Sequence, residues 1–198
     1  MSSDLRDSAS LLGSRICHDL ISPLGAISNG VELLAMSGVA NSPELKLIEE
    51  AVDSANARVK FFRVALGASS GTQMLARAEV LKLLEGCYGS GRLKVRWSPP
   101  SDPTRTEAKV AFLSLMCIET VLPQGGEIVI NEDRGDWQIQ AFGSNIRFDA
   151  ELWATLTRPP TIEIASNQVQ FIMFKNALTA LGKEAVVGHS GSAVSLRY

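Results

Sequence analysis

The sequence predicts an α+β chain: an N-terminal antiparallel helical hairpin that forms a dimeric four-helix bundle, followed by an α/β sandwich with a mixed sheet. Three observations predict it. Apolar residues recur at steps of three and four up to about residue 66. Alternating, strand-like runs begin only at Leu93. Between the two patterns lies a small-residue stretch, Ala68-Ser69-Ser70-Gly71. The units expected are residues 1–67 for the hairpin and 72–198 for the sandwich.

The first helix carries Leu12, Ile16, Leu20, Leu24, Ile27, Val31 and Leu34 on one stripe and stops at Ser37-Gly38. Asn41-Ser42-Pro43 then supplies a capping side chain and a proline for the first helical position. The second helix repeats Leu45, Ile48, Val52, Ala55, Val59, Phe62 and Leu66 before Gly67. Two antiparallel helices cannot bury both seams on each other alone. A second copy of the chain would cover them and build a bundle across a two-fold axis. Packing on the rest of the same chain is the alternative.

Beyond the linker, an amphipathic helix is expected from Ala76 to Tyr88, a strand at Leu93–Trp97 and a helix from Arg105 to Leu122. Strands follow at Glu127–Asn131 and Trp137–Phe142, then helices near 149–157 and 167–181. Glu184–Gly188 and Ala193–Tyr198 close the chain as a hairpin, turning at Ser190-Gly191. Helices on one face of a mixed sheet make a two-layer sandwich.

Composition narrows the function classes. Hydrophobic residues make up 45% and charged residues 20%, enough apolar material for a core. The formal net charge of -2, without a long basic run, disfavours a groove for nucleic acid. No stretch reaches the ~20 apolar residues of a membrane helix, and the polar N-terminus is unlike a secretory signal. Cys17, Cys87 and Cys117 are spaced for neither a disulfide framework nor a zinc site. The expected location is the cytoplasm, with no membrane and no nucleic acid as partner.

Of the two histidines, His189 is expected as a solvated turn residue. His18 lies two positions from both Ile16 and Leu20, which turns it about 160° away from the seam, toward solvent. Its neighbours on that face are Leu11, Ser14, Arg15, Ile21, Ser22 and Gly25. The small ones leave room beside the imidazole; Leu11 and Ile21 read either as a docking patch or as ordinary surface apolar residues. Pro23 interrupts the helix five residues later, at a cost of ~3 kcal/mol or more, and violations of this kind cluster at function.

His18-Asp19-Leu20-Ile21-Ser22-Pro23-Leu24 resembles the H-box of two-component histidine kinases, H-[DE]-L-x-x-P-L. The continuation Gly25 to Leu34 looks like that of ChpT-type histidine phosphotransferases. The remaining element order resembles the kinase ATP-binding (Bergerat) domain. That resemblance places a magnesium-binding asparagine where this chain has Cys117. It places an adenine-reading aspartate and glycines in a stretch that here reads Ala141-Phe142-Gly143-Ser144-Asn145. A glycine-rich phosphate lid is replaced by Ile164 to Val169.

The resemblance therefore implies a histidine phosphotransferase that passes a phosphoryl group between receiver-domain aspartates through phospho-His18 without ATP. The expected partners are a second copy, the receiver of an upstream hybrid kinase, and downstream response regulators. No cofactor is expected on this chain; the Mg²⁺ is expected in the receiver. His18 is the expected phosphoacceptor. Arg15 would add positive charge near the phosphoryl group, and Asp19 either orients Nδ1 or faces solvent. The expected dimer seam is Ile16, Leu20, Ile27, Val31, Leu34, Leu45, Ile48, Val52, Ala55, Val59 and Phe62. The rival readings are an ATP-dependent kinase with an unusual nucleotide site and a non-catalytic dimeric scaffold.

Overall fold

A computed structural model describes residues 2–36, 43–68 and 72–198, with side chains of the first helix from Leu11 onward. The expected Ser37-Gly38 stop, the Asn41-Ser42 cap and residues 69–71 of the linker lie outside the described residues. The elements run α1 (Ser2–Leu34), α2 (Pro43–Leu66), α3 (Arg77–Tyr88), β1 (Leu93–Trp97), α4 (Arg105–Glu119), β2 (Gly126–Asp133), β3 (Asp136–Phe142), α5 (Ala150–Ala154), α6 (Val169–Ala180), β4 (Val186–Ser190) and β5 (Ala193–Arg197). A single 3₁₀ turn, Ser166–Gln168, leads into α6. This is the α+β class the sequence predicts: a helical hairpin followed by a mixed sheet with helices.

The five-stranded sheet has the order β1-β2-β3-β5-β4, with β1 parallel to β2 and the other pairs antiparallel. Alternate residues sort by face, as the pleat requires. Trp97, Ile128, Ile130, Ile139, Ala141, Val194 and Leu196 are buried, whereas Lys94 and Arg96 are exposed. A parallel neighbour needs a crossover, and α4 provides it between β1 and β2. Thr104 starts α4 with a capping box, its hydroxyl accepting from the Glu107 amide while the Glu107 carboxylate accepts from the Thr104 amide. Gly125, at φ 98°, turns the chain from α4 into β2 where an added Cβ would meet the Arg92 carbonyl.

Helix α4 is buried nearly all round, from Ala108 to Ile118, because it lies between the sheet and α2. Helix α2 thus has two working faces. Its first half meets α1 through Val52, and its last turns enter the sandwich core through Phe61, Val64 and Ala65. Phe61 stacks flat on Phe112 of α4 with ring centroids 4.5 Å apart and meets Tyr88 of α3 edge-on. Arg58 donates to the Tyr88 hydroxyl at 3.2 Å and pairs with Glu119 at 3.6 Å. Gly86 lets α3 approach α2 so closely that a Cβ there would stand 2.7 Å from the Ala57 Cβ. The Lys109 ammonium donates to the Gly67 carbonyl at 2.7 Å just beyond the end of α2.

Two expectations are corrected. Of the expected α1 stripe, Val31 is buried and Leu24 half-buried, whereas Leu12, Ile16, Leu20, Ile27 and Leu34 stay 46–60% exposed; off the stripe, Cys17 is buried and Gly13 sits against Leu66. The faces are centred roughly 70–80° apart on a regular helix, so one belongs to α2 and the other is covered by none of the described residues. Val31 and Val52, assigned to the dimer seam, are thus already covered within the hairpin; Ile48 is not. The last hairpin turns on Gly191-Ser192 alone, since Ser190 pairs with Ala193. His189 is therefore a strand residue opposite Val194, and its ring stacks on Phe148 at 4.4 Å rather than standing free in a turn.

Phe61→Ala should destabilise the chain by about 3–5 kcal/mol, the usual scale for a fully buried phenylalanine. Urea unfolding followed by circular dichroism measures it. Loss of less than about 1 kcal/mol would mean that α2 is not part of the sandwich core.

Candidate functional site

Helix α1 carries the candidate residues. The face toward α2 is set by Gly13, Cys17 and Val31, and His18 projects from the opposite flank with 83% of its side chain exposed. Pro23 lies inside α1, which runs on to Leu34; having no amide hydrogen, it leaves the Asp19 carbonyl without its intrahelical donor.

Asp19 links two neighbours. Its Oδ1 stands 3.3 Å from the His18 Nδ1, and its Oδ2 accepts from the Arg15 Nε at 2.8 Å. A carboxylate only accepts, so in a neutral ring this contact favours the tautomer with the hydrogen on Nδ1. Nε2 is then the lone-pair nitrogen and points away from Asp19. The bond with His18, and next that with Arg15, hold the Asp19 carboxyl below the ordinary carboxylate value. Arg15, expected near a phosphoryl group, is thus engaged with Asp19. The i,i+4 spacing of Arg15 and Asp19 is the sequence signal for that pair.

The expected docking residues separate. Leu11 and Ser22 are exposed, Ile21 and Gly25 are half-buried, and Ser14 is engaged elsewhere. The Ser14 hydroxyl accepts from the Ala68 amide at 3.1 Å, so it ties α1 to the exit of α2 instead of leaving room beside the imidazole. It sits about 40° from His18, on the side turned toward α2. Cys17, next to His18, is buried; burial pushes its thiol up, partly offset by the charge of Arg63 on α2.

In the sandwich, Cys117 is fully buried in α4, and burial raises its thiol well above the ordinary range. Ser144 and Asn145 are exposed beyond β3. Phe148 packs between Trp153 and His189, with centroids at 5.6 and 4.4 Å. Among the described residues no group of His, Cys, Asp and Glu is placed to hold a metal ion. No helix of the described residues is long and apolar enough to cross a membrane.

A solved bacterial phosphotransferase shares this fold, with a TM-score of 0.70 at 22% identity over 98% of this chain and 95% of that one. A more distant overlap, at TM-score 0.46 and 12% identity, is with the histidine kinase domain of the Erythrobacter litoralis EL346 blue-light activated histidine kinase, over 92% of this chain and 93% of that one. The family described as the histidine phosphotransferase C-terminal domain matches residues 77–192. The chain belongs to the histidine phosphotransferase family. A curated relative, the protein phosphotransferase ChpT of Brucella abortus (strain 2308), is 50% identical over 133 residues, 66% of this chain. The chain spans 63% of that relative's length.

Because the bonds to Asp19 favour its ionised form, its carboxyl should titrate below 3.8 in the folded chain. The stabilisation is complete above the unfolded value and is lost as pH falls through the folded one. Carboxyl ¹³C NMR should show this midpoint moving up in Arg15→Ala. A midpoint at or above 3.8 in the wild type would show that the two bonds do not persist in solution.

Proposed function

We propose that this chain is a phosphorelay intermediate: His18 accepts a phosphoryl group from the aspartate of one receiver domain and passes it to the aspartate of another, without using ATP. The observation that carries this reading is the side chain itself. His18 is 83% exposed, its Nδ1 faces Asp19, and among the described residues Nε2 has no partner. The free nitrogen of a neutral imidazole carries a lone pair and is a nucleophile.

The rest of the chemistry belongs to the partner. In-line transfer needs the equatorial oxygens neutralised, and the receiver's Mg²⁺ is the group we assign to that task. The losses at the nucleotide positions support the ATP-independent reading. Fully buried Cys117 stands where a metal-binding asparagine belongs, and the segment from Ile164 to Val169 has no glycine to close backbone amides on phosphate. The upstream partner on this reading is a hybrid kinase receiver, and the downstream ones are response regulators.

The chain works as a homodimer on this reading. The uncovered row Leu12, Ile16, Leu20, Ile27 and Leu34, with Ile48 on α2, is an apolar face that one chain leaves in water. Its self-complementary partner is the same row on a second copy. His18 lies about 160° around α1 from that row and stays open to receivers in the dimer.

Two measurements test these statements. A receiver carrying ³²P on its aspartate, mixed with the chain in the absence of ATP, should place acid-labile, base-stable label on the wild type and none on His18→Ala. No label from receivers together with saturable ATP–Mg²⁺ binding would favour a kinase instead. Light scattering on a sizing column should find a dimer, converted to a monomer by Ile16→Asp with Ile27→Asp. A monomeric wild type would remove the bundle.

A further inference from the structure

Beyond carrying the histidine, α1 carries the device that orients it. We propose that Arg15 is a positioning residue that acts on His18 through Asp19, fixing the imidazole with hydrogen on Nδ1 and the lone pair on Nε2. This rests on the carrier reading of His18 and adds a role for Arg15 other than direct contact with the phosphoryl group.

The geometry supports it step by step. Arg15, His18 and Asp19 lie together on α1, and among the described residues their side chains bond to one another rather than to α2 or the sandwich. An exposed aspartate beside a histidine samples several rotamers, and only some present an oxygen to Nδ1. The Arg15 Nε at 2.8 Å from Oδ2 selects one of them, in which Oδ1 faces the ring. The pair has i,i+4 spacing on the helix, so one rotamer of each side chain satisfies the contact without distorting the backbone.

The chemical consequence follows from charge. In the forward step the P–O bond to the donor aspartate breaks and a P–Nε2 bond forms. The electron pair of the broken bond leaves on the donor carboxylate, and the ring becomes an imidazolium that still holds its Nδ1 hydrogen. No proton has to move. Asp19 faces the positive charge that develops on the ring, and Arg15 keeps it there through both the forward and the return step. Were the tautomer reversed, the nitrogen facing the incoming phosphoryl group would carry hydrogen and could not attack.

The test uses the full chain labelled with ¹⁵N-histidine. It has two histidines, so His189→Gln identifies the His18 signals. Phosphoramidate serves as the small phosphodonor, with phosphohistidine followed by ³¹P NMR. In the wild type the two ring nitrogens of His18 should show well-separated ¹⁵N shifts with the hydrogen on Nδ1. Arg15→Ala should draw the two shifts together and slow phosphorylation about two- to fivefold, the scale of one exposed charged pair. In an Asp19→Ala background, Arg15→Ala should change neither quantity further, because the two residues act as one unit. Unchanged ring shifts in Arg15→Ala, or a full rate loss that persists in the Asp19→Ala background, would overturn the proposal and leave Arg15 acting on the phosphoryl group directly. If the wild type forms no phosphohistidine from either phosphoramidate or receivers, the carrier reading itself fails, while the ring shifts still decide whether Arg15 sets the tautomer.

Discussion

The flat stacking of Phe61 on Phe112 fixes one helix in two units at once, and the rest of the molecule is arranged around that contact. Helix α2 cannot pivot about its last turns, because Phe61, Val64 and Ala65 are held in the same core as the sheet. Arg58 adds a hydrogen bond and an ion pair to α3 and the end of α4, and it lies over the rings of Phe61, Phe62 and Tyr88. Lys109 and Ser14 then bind the two residues that follow α2, Gly67 and Ala68, from α4 and α1 respectively. Ser14 is one turn before His18. The histidine is therefore held in a defined position relative to the sandwich.

This arrangement gives the sandwich a structural role: it receives the buried end of α2. The last turns of α2 bury Phe61, Val64 and Ala65 in the sandwich core, so the hairpin and the sandwich share one apolar core. Burying one phenylalanine contributes about 1.5–3 kcal/mol, and stability of a whole domain is only ~5–15 kcal/mol. Removing the wall that receives Phe61 would spend a large part of that margin.

Much of the fold was legible in the sequence because the patterns are local. The α2 bounds, Pro43–Leu66, follow from a proline at the first helical position and a glycine after the last, and β1 follows from simple alternation. The partition of apolar residues between partners was not legible. Leu24, Val31, Ile16 and Ile27 look alike on a wheel, and only the position of α2 shows which half of the stripe it covers. Phe61-Phe62-Arg63-Val64-Ala65-Leu66 did hold a signal, since a run apolar on nearly all sides marks a helix end with neighbours all round. Of the site, the exposure of His18 was readable from its offset to Ile16 and Leu20. The bond from Arg15 to Asp19 was readable in spacing but not in role. The stacking of His189 on Phe148 joins residues distant in sequence, and no periodicity reports such a pair.

On the proposed relay, what the site contains, and on which side, separates the work of this chain from that of a receiver. The Nδ1 side of His18 is built: a carboxylate faces the ring and a guanidinium holds the carboxylate. The rest of the ring is open to solvent, and Leu11 and Ser22, about 20–40° from His18 around α1, are exposed as well. Preorganisation on one side only makes the nitrogen ready but provides little electrostatic help to an arriving phosphoryl group. On that reading the site reacts quickly only when the receiver brings the missing charges and the in-line geometry. On the proposed relay, selectivity resides in which receiver surface can dock so that its aspartate meets Nε2, and the seat of α2 in the sandwich core holds α1 at that meeting point.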